Sequence, residues 1–265
     1  MAIKINWNDL QKRFIGGTEI LRVYKSGYQV RPDTVPPAND YLCFTANEPN
    51  CTIQLSWAYY QPRNVVQLET SYDKVNWTDY TLQSIITLAN VWDKVYWRNK
   101  SEIQVPFSYS NTEFYLFDIL QSCYVSWDVT YLLCKTWTNT INDYDFFNLF
   151  ASTNIVTPPR IPATTLWVYS CATMFAACSN LESIPAIHAT SLWERCCSEM
   201  FTGSPKIKLS ETQTWEYQTP YRIPTTWTWT SSLNWSRNMF YITWGTFAGT
   251  PNVNQTYYTS NTIIS

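Results

Sequence analysis

Charge is in short supply in this sequence. Of its 265 residues only 14% are Asp, Glu, Lys or Arg, against about 25% in an ordinary soluble domain. The formal net charge is -2. That balance excludes a basic protein whose whole surface neutralises phosphate, and it excludes an acidic disordered tail. Nucleic acid is therefore not an expected partner. There is one histidine, His188, so neither a His pair nor a His-based nucleophilic triad can be assembled within the chain. No CxxC pair and no GxxxxGK loop occur, which removes the usual zinc and phosphate motifs. No stretch approaches the ~20 apolar residues of a membrane helix, and membrane insertion is not expected. The first residues, Met1 to Asp9, lack the basic flank and apolar run of a secretory signal. Glycine is far below its usual share. There are six, and none lies between Tyr28 and Thr202, where a usual share of ~7% would place about twelve.

What is present is apolar and aromatic. Apolar residues make up 45% of the chain, and 14 Trp and 19 Tyr contribute to an aromatic share of 17%. The length is enough for one large or two modest domains with a real core. Eight cysteines are scattered without metal-ligand spacing: Cys43, Cys51, Cys123, Cys134, Cys171, Cys178, Cys196 and Cys197. They are expected to be buried, unbridged thiols acting as small hydrophobes in a protein made in a reducing cytoplasm. No metal and no cofactor is expected. Asn142, Asp143 and Asp145 lack the spacing of an EF-hand calcium loop. Asp143 and Asp145 read as solvated or capping acids rather than as a glycosidase pair.

Three segments follow from the patterning. Residues 1–37 form a docking segment. Apolar Trp7, Leu10, Phe14 and Ile15 fall on one face of a short helix over Asn6 to Ile15, which Gly16-Gly17 ends. Ile20 to Tyr24 and Tyr28 to Val30 then read as a hairpin around Lys25-Ser26-Gly27. Pro32, Pro36 and Pro37 make a stiff linker. A helix and a hairpin this short bury little alone, so Trp7, Leu10 and Phe14 are the expected docking residues toward a partner.

Residues 38–135 read as a β-sandwich. Strand candidates are Tyr41 to Ala46, Thr52 to Trp57, Val65 to Thr70, Trp77 to Thr81, Ser84 to Leu88, Lys94 to Arg98 and Glu113 to Leu120, at roughly ten-residue spacing. Residues 136–265 repeat. Leu166, Cys171, Met174, Phe175, Asn180 and Leu181 recur 26 residues later as Leu192, Cys197, Met200, Phe201, Lys206 and Ile207. Pro159, Ile161, Ala163 and Thr164 recur at the same offset as Pro185, Ile187, Ala189 and Thr190. A degenerate copy follows at Arg222 to Thr226 and Met239-Phe240. This period is the size class of leucine-rich repeats. Leu166, Cys171, Met174, Phe175 and Cys178 fit one helical face, and stacked units share one core. Leu166, Met174, Phe175, Leu192, Met200 and Phe201 are expected inside it.

At these residues a family resemblance enters. The text MFAACSNLESIPAIHATSL, Met174 to Leu192, resembles leucine-rich repeats of the BspA-like type, found in bacterial surface proteins and in phage and prophage proteins of gut Bacteroidales. The segment LETSYDKVNWTDYTLQSIITLANVWDKVYWRNKSE, Leu68 to Glu102, resembles the Ig-like module that precedes such repeats in those phage proteins. The text TEILRVYKSGYQVRP is similar to their N-terminal segment. The fold so implied is mainly β with short helices: an N-terminal helix-hairpin anchor, an Ig-like β-sandwich and a C-terminal leucine-rich-repeat solenoid. The implied function is a non-enzymatic virion surface protein, a head or tail fibre or decoration, assembled in the host cytoplasm. Its implied partners are other virion proteins, further copies of itself (a trimer is one option), and a host glycan or protein receptor. A bacterial cell-surface adhesin carrying the same repeats is the alternative, which the missing signal makes the weaker one.

Trp227, Trp229 and Trp235, with Tyr257 and Tyr258, lie in Thr/Ser/Asn-rich text and are the aromatic binding candidates. Such residues combine rigid contact area with adaptable hydrogen bonds. They suit stacking on sugars, docking to a protein, or packing between subunits. The sequence also departs from the family at turns. Trp92, Trp127 and Trp244 stand where the family usually shows glycine. Either the surface has diverged there, or some Trp codons are read differently in the host.

Overall fold

The computed structural model describes residues 41–63, 65–185, 187, 189–207 and 237–240 in full, and the backbone of seven short strands outside them. The chain divides into two units, Met1–Pro37 and Ala38–Ser265.

In the first unit, β1 (Phe14–Ile15) pairs antiparallel with β2 (Thr18–Glu19), Ile15 opposite Thr18. A second hairpin joins β3 (Val23–Lys25) to β4 (Tyr28–Val30). The expected hairpin is therefore present, but Phe14 and Ile15, expected to close a helix begun at Asn6, stand in a strand, and the helix-hairpin anchor is corrected accordingly. Phe14, Ile15 and Thr18 favour extended backbone. Gly16 and Gly17, read as a helix stop, lie outside the described residues. Trp7 and Leu10 lie outside the described residues.

The second unit begins with two sheets that face each other. In chain order their strands are β5 (Leu42–Ala46), β6 (Cys51–Tyr59), β7 (Leu68–Ser71), β8 (Thr78–Asp79), β9 (Ile86–Leu88), β10 (Lys94–Asn99), β11 (Glu113–Ile119) and β12 (Cys123–Ser126). The larger sheet runs β14-β12-β5-β10-β7-β8, where β14 (Ile155–Thr157) lies parallel to β12. The smaller runs β11-β6-β9. Alternation explains the facing. Cys51, Ile53 and Leu55 of β6 are buried, as are Val95 and Trp97 of β10, so each strand turns every second side chain inward. The core between the sheets is aromatic. Phe117 of β11 meets Phe44 of β5 at 4.8 Å and Trp97 of β10 at 5.3 Å between ring centroids. Each of the seven strand candidates in this region overlaps an observed strand, and Cys123–Ser126 is a further strand that the pattern did not give.

Beyond Ser126 the chain repeats in space as well as in text. Strands β13 (Thr140–Ile141), β15 (Thr165–Leu166), β16 (Ser191–Leu192) and β19 (Trp229–Thr230) form a parallel sheet, with Ile141, Leu166, Leu192 and Thr230 in register. A further parallel pair joins β17 (Leu209–Ser210) to β18 (Thr219–Pro220). After each of β13, β15 and β16 the chain makes successive tight turns. Alternate N–H groups close a turn onto the carbonyl three residues back, as from Ala172 to Tyr169 and from Ala176 to Thr173. The intervening N–H groups reach the next layer, as from Cys171 to Cys196 O, Thr173 to Ser198 O and Phe175 to Met200 O. Equal register stacks equal side chains. Phe117, Phe150, Phe175, Phe201 and Phe240 form one file of rings with successive centroids 5.1 to 5.6 Å apart.

The expected fold of this region is overturned. Several small sheets are present, none of them a leucine-rich-repeat solenoid, and the described residues contain no α-helix, only the 3-10 turn Val129–Leu132. The segment read as a helical face carries a left-handed residue every fourth position: Tyr144, Asn148 and Ser152, then Tyr169, Thr173 and Ala177, then Arg195, Glu199 and Gly203. An α-helix admits no such residues. A turn recurring every four residues buries Cys171, Met174, Phe175 and Cys178 much as a 3.6-residue helix would, which is why the pattern misled. The burial expected of Leu166, Met174, Phe175, Leu192, Met200 and Phe201 is observed.

Candidate functional site

An open polar cleft lies beside the larger sheet where the repeats begin. Its volume is about 290 Å³, and it is lined by Asn47, Glu48, Ser122, Tyr124, Val156, Asn180, Glu182 and Lys206. Three stretches build it. The turn after β5 supplies Asn47 and Glu48, held to β12 because Asn47 donates from its backbone N–H to Ser122 O and from Nδ2 to Ser122 Oγ at 2.9 Å. β12 supplies Tyr124. The repeats supply a polar file at one register position, Asn154, Asn180 and Lys206. Lys206 Nζ donates to Asn180 Oδ1 at 2.7 Å, and Asn180 Nδ2 donates to Asn154 Oδ1 at 3.4 Å. Glu182 is fixed through its backbone, whose N–H donates to Val156 O.

An aromatic pair adjoins the cleft. The rings of Trp92 and Tyr124 lie parallel, 3° apart in plane, with centroids separated by 5.8 Å. Trp92 is 65% exposed. Its backbone φ is 73°, and that of Trp127 is 68°. Both stand in the left-handed region that glycine enters freely and bulky residues resist.

Of the sequence-based candidates, Trp229 falls in β19 with its backbone opposite Ser191. Trp227, Trp235, Tyr257 and Tyr258 lie outside the described residues, as does His188. Phe14 is in β1. Asp145 is not solvated. It is fully buried and accepts backbone N–H bonds from Phe107 and Asn142, each at 2.9 Å. Burial outweighs those bonds and pushes its carboxyl up to about 7. Asp143 Oδ1 accepts from the Val168 N–H at 3.0 Å. Asp128, also buried, caps the 3-10 turn by accepting from Thr130. All eight cysteines are buried and unbridged. Among the described residues, no group of three or more His, Cys, Asp or Glu could hold a metal, and no helix is long and apolar enough to cross a membrane.

Sequence reasoning missed the cleft. The only signal was the offset that places Asn180 above Asn154 and Lys206 above Asn180, and it says nothing of Glu48 or Tyr124, which come from elsewhere in the chain.

Comparison with known protein families, with curated proteins and with solved structures finds no match to this chain.

Proposed function

We propose that this chain is a non-enzymatic virion surface protein of a bacteriophage that presents a binding surface to the host or its surroundings. The observation that carries the reading is the number of large apolar side chains left exposed on a rigid β framework. Tyr59, Tyr60, Tyr72 and Trp92 are each more than half exposed, as are Val75, Ile85 and Ile103. Exposed aromatics on rigid elements are costly to leave in water and serve well as contact area. The buried acids support the same reading, because Asp128 and Asp145 are engaged as acceptors from backbone N–H groups rather than open to a substrate. The likeness of the Met174 to Leu192 text to phage and prophage proteins supplies the setting. In this reading residues 1–37 attach the protein to other virion components, and the remainder is displayed.

The test is physical association. Antibody against the chain should label purified particles, and deletion of residues 1–37 should abolish incorporation while leaving the unfolding transition of residues 38–265 in place. Finding the protein on the bacterial envelope and not on particles would replace this reading with the adhesin one. Normal incorporation of the truncated chain would remove the attachment role.

A further inference from the structure

We infer that the cleft between the Asn47-Glu48 turn and the Asn154–Asn180–Lys206 file is a saccharide-binding site for a single neutral sugar residue at the end of a glycan. The inference rests on the binding role proposed above and names the ligand class for one site.

Three features of the cleft point to this ligand. First, its lining is rich in side chains that exchange hydrogen bonds with hydroxyl groups. Glu48 and Glu182 offer carboxylate acceptors, while Asn47, Asn180 and Lys206 offer donors. A sugar hydroxyl both donates and accepts, so it can satisfy both kinds at once. Second, the cleft has one aromatic side chain in an otherwise mostly polar lining. Tyr124 lines it, and the exposed indole of Trp92 stacks parallel to the Tyr124 ring. An apolar ligand would need an apolar lining, whereas a pyranose has polar edges and one apolar C–H face suited to a single aromatic ring. Third, a volume of about 290 Å³ is at the low end for pockets that take drug-sized molecules, which suits one sugar residue.

Charge selects within the class. Two carboxylates face one ammonium, and that ammonium already donates to Asn180. The surplus is negative. Sulfated, sialylated and uronic sugars are therefore repelled, and neutral hexoses or N-acetylhexosamines are favoured. The parts are also preorganised. Asn47, Asn180 and Lys206 are each tied to neighbours, so little side-chain freedom is lost on binding.

The experiment uses the full-length chain on an array of neutral, sulfated and sialylated oligosaccharides, followed by titration with methyl galactoside, methyl glucoside and the methyl glycoside of N-acetylglucosamine. Binding to at least one neutral terminal sugar is expected. Glu182→Ala and Tyr124→Ala should each weaken it about tenfold or more, the loss of a hydrogen bond to a charged group or of a ring contact. Glu102→Gln, away from the cleft, should leave it unchanged. Thermal unfolding of each variant confirms that the fold persists. A preference for sulfated or sialylated sugars, or neutral-sugar binding that both cleft variants retain, overturns the inference. So does the absence of sugar binding by protein that still labels particles, and that result leaves the virion reading standing. Cleft-dependent sugar binding by a protein missing from particles does the reverse.

Discussion

Replacing Asp145 with Asn should change how stability depends on pH. The carboxyl sits in the first turn after β13, fully buried, and its two oxygens each accept one backbone N–H, from Phe107 and from Asn142. Gln104 adds a hydrogen bond, while nearby Asp143 and above all burial raise the pKa, to about 7. In the unfolded chain the value is about 4. A raised acid holds its proton in the folded state over a window where the unfolded chain has released it. Stability from this group is therefore complete below about pH 4 and is lost as pH rises toward 7. Each pH unit in that window is worth about 1.4 kcal/mol, so between pH 5 and pH 8 the wild type should lose on the order of 2–3 kcal/mol through this group. Asparagine keeps the shape and cannot titrate, but it turns an NH₂ toward one of the two N–H donors, at a cost of about 1–3 kcal/mol. The penalty of Asp145→Asn should thus be largest at pH 5 and should shrink by about 2–3 kcal/mol by pH 8. Urea unfolding of both proteins at intervals across that range reads the difference directly and cancels every other titrating group. A penalty that is constant with pH, or one that grows as pH rises, would show that the buried carboxyl is ionised throughout and refute the reasoning.

Three further outcomes can be checked on the same protein. Phe175→Ala removes a fully buried ring stacked on Phe150 and Phe201, each at 5.6 Å; it should cost about 3–5 kcal/mol, and a loss below ~1.5 kcal/mol in urea unfolding would mean the ring file does not bear on stability. Trp92→Gly should raise stability by roughly 0.5–1 kcal/mol, because a left-handed backbone costs a residue with Cβ about 1–2 kcal/mol and only a partly exposed ring contact is given up; Trp92→Ala should bring no such gain, and peptide mass spectrometry across positions 92 and 127 of protein from its native source will show whether tryptophan is what the host inserts. The thiols should be inert to a thiol-reactive dye in the folded protein and all eight should react in denaturant, since all are buried, burial raises Cys171 and Cys178, the latter to about 11, and the hydrogen bond with Cys196 together with burial raises Cys197; rapid native labelling of any of them would contradict the packing.

Alternation and periodicity were enough to locate much of the chain by sequence alone. A strand buries every second side chain whatever it pairs with, so Val95 and Trp97, or Ile53 and Leu55, declare themselves locally. The 26-residue offset likewise announced that Met174-Phe175 and Met200-Phe201 would occupy equivalent buried places, because identical neighbours above and below ask for identical side chains. Neither signal carries backbone handedness. Four-residue turns and an α-helix bury nearly the same positions, and only the left-handed residues at Tyr169, Thr173 and Ala177 separate them. With glycine almost absent, those positions carried no mark in the text. Phe14 and Ile15 were ambiguous for another reason, since the same apolar pair suits the end of a helix or a strand, and pairing between Ile15 and Thr18 decided it. The cleft was invisible for a third reason. Glu48, Tyr124 and Glu182 are far apart in sequence and meet only because β5, β12 and β14 are neighbours in one sheet. Burial of Asp145 is of the same kind, since the N–H of Phe107 that it accepts comes from a loop 38 residues away. Local pattern determined which side chains turn inward, and tertiary pairing alone decided which polar groups came to share a surface.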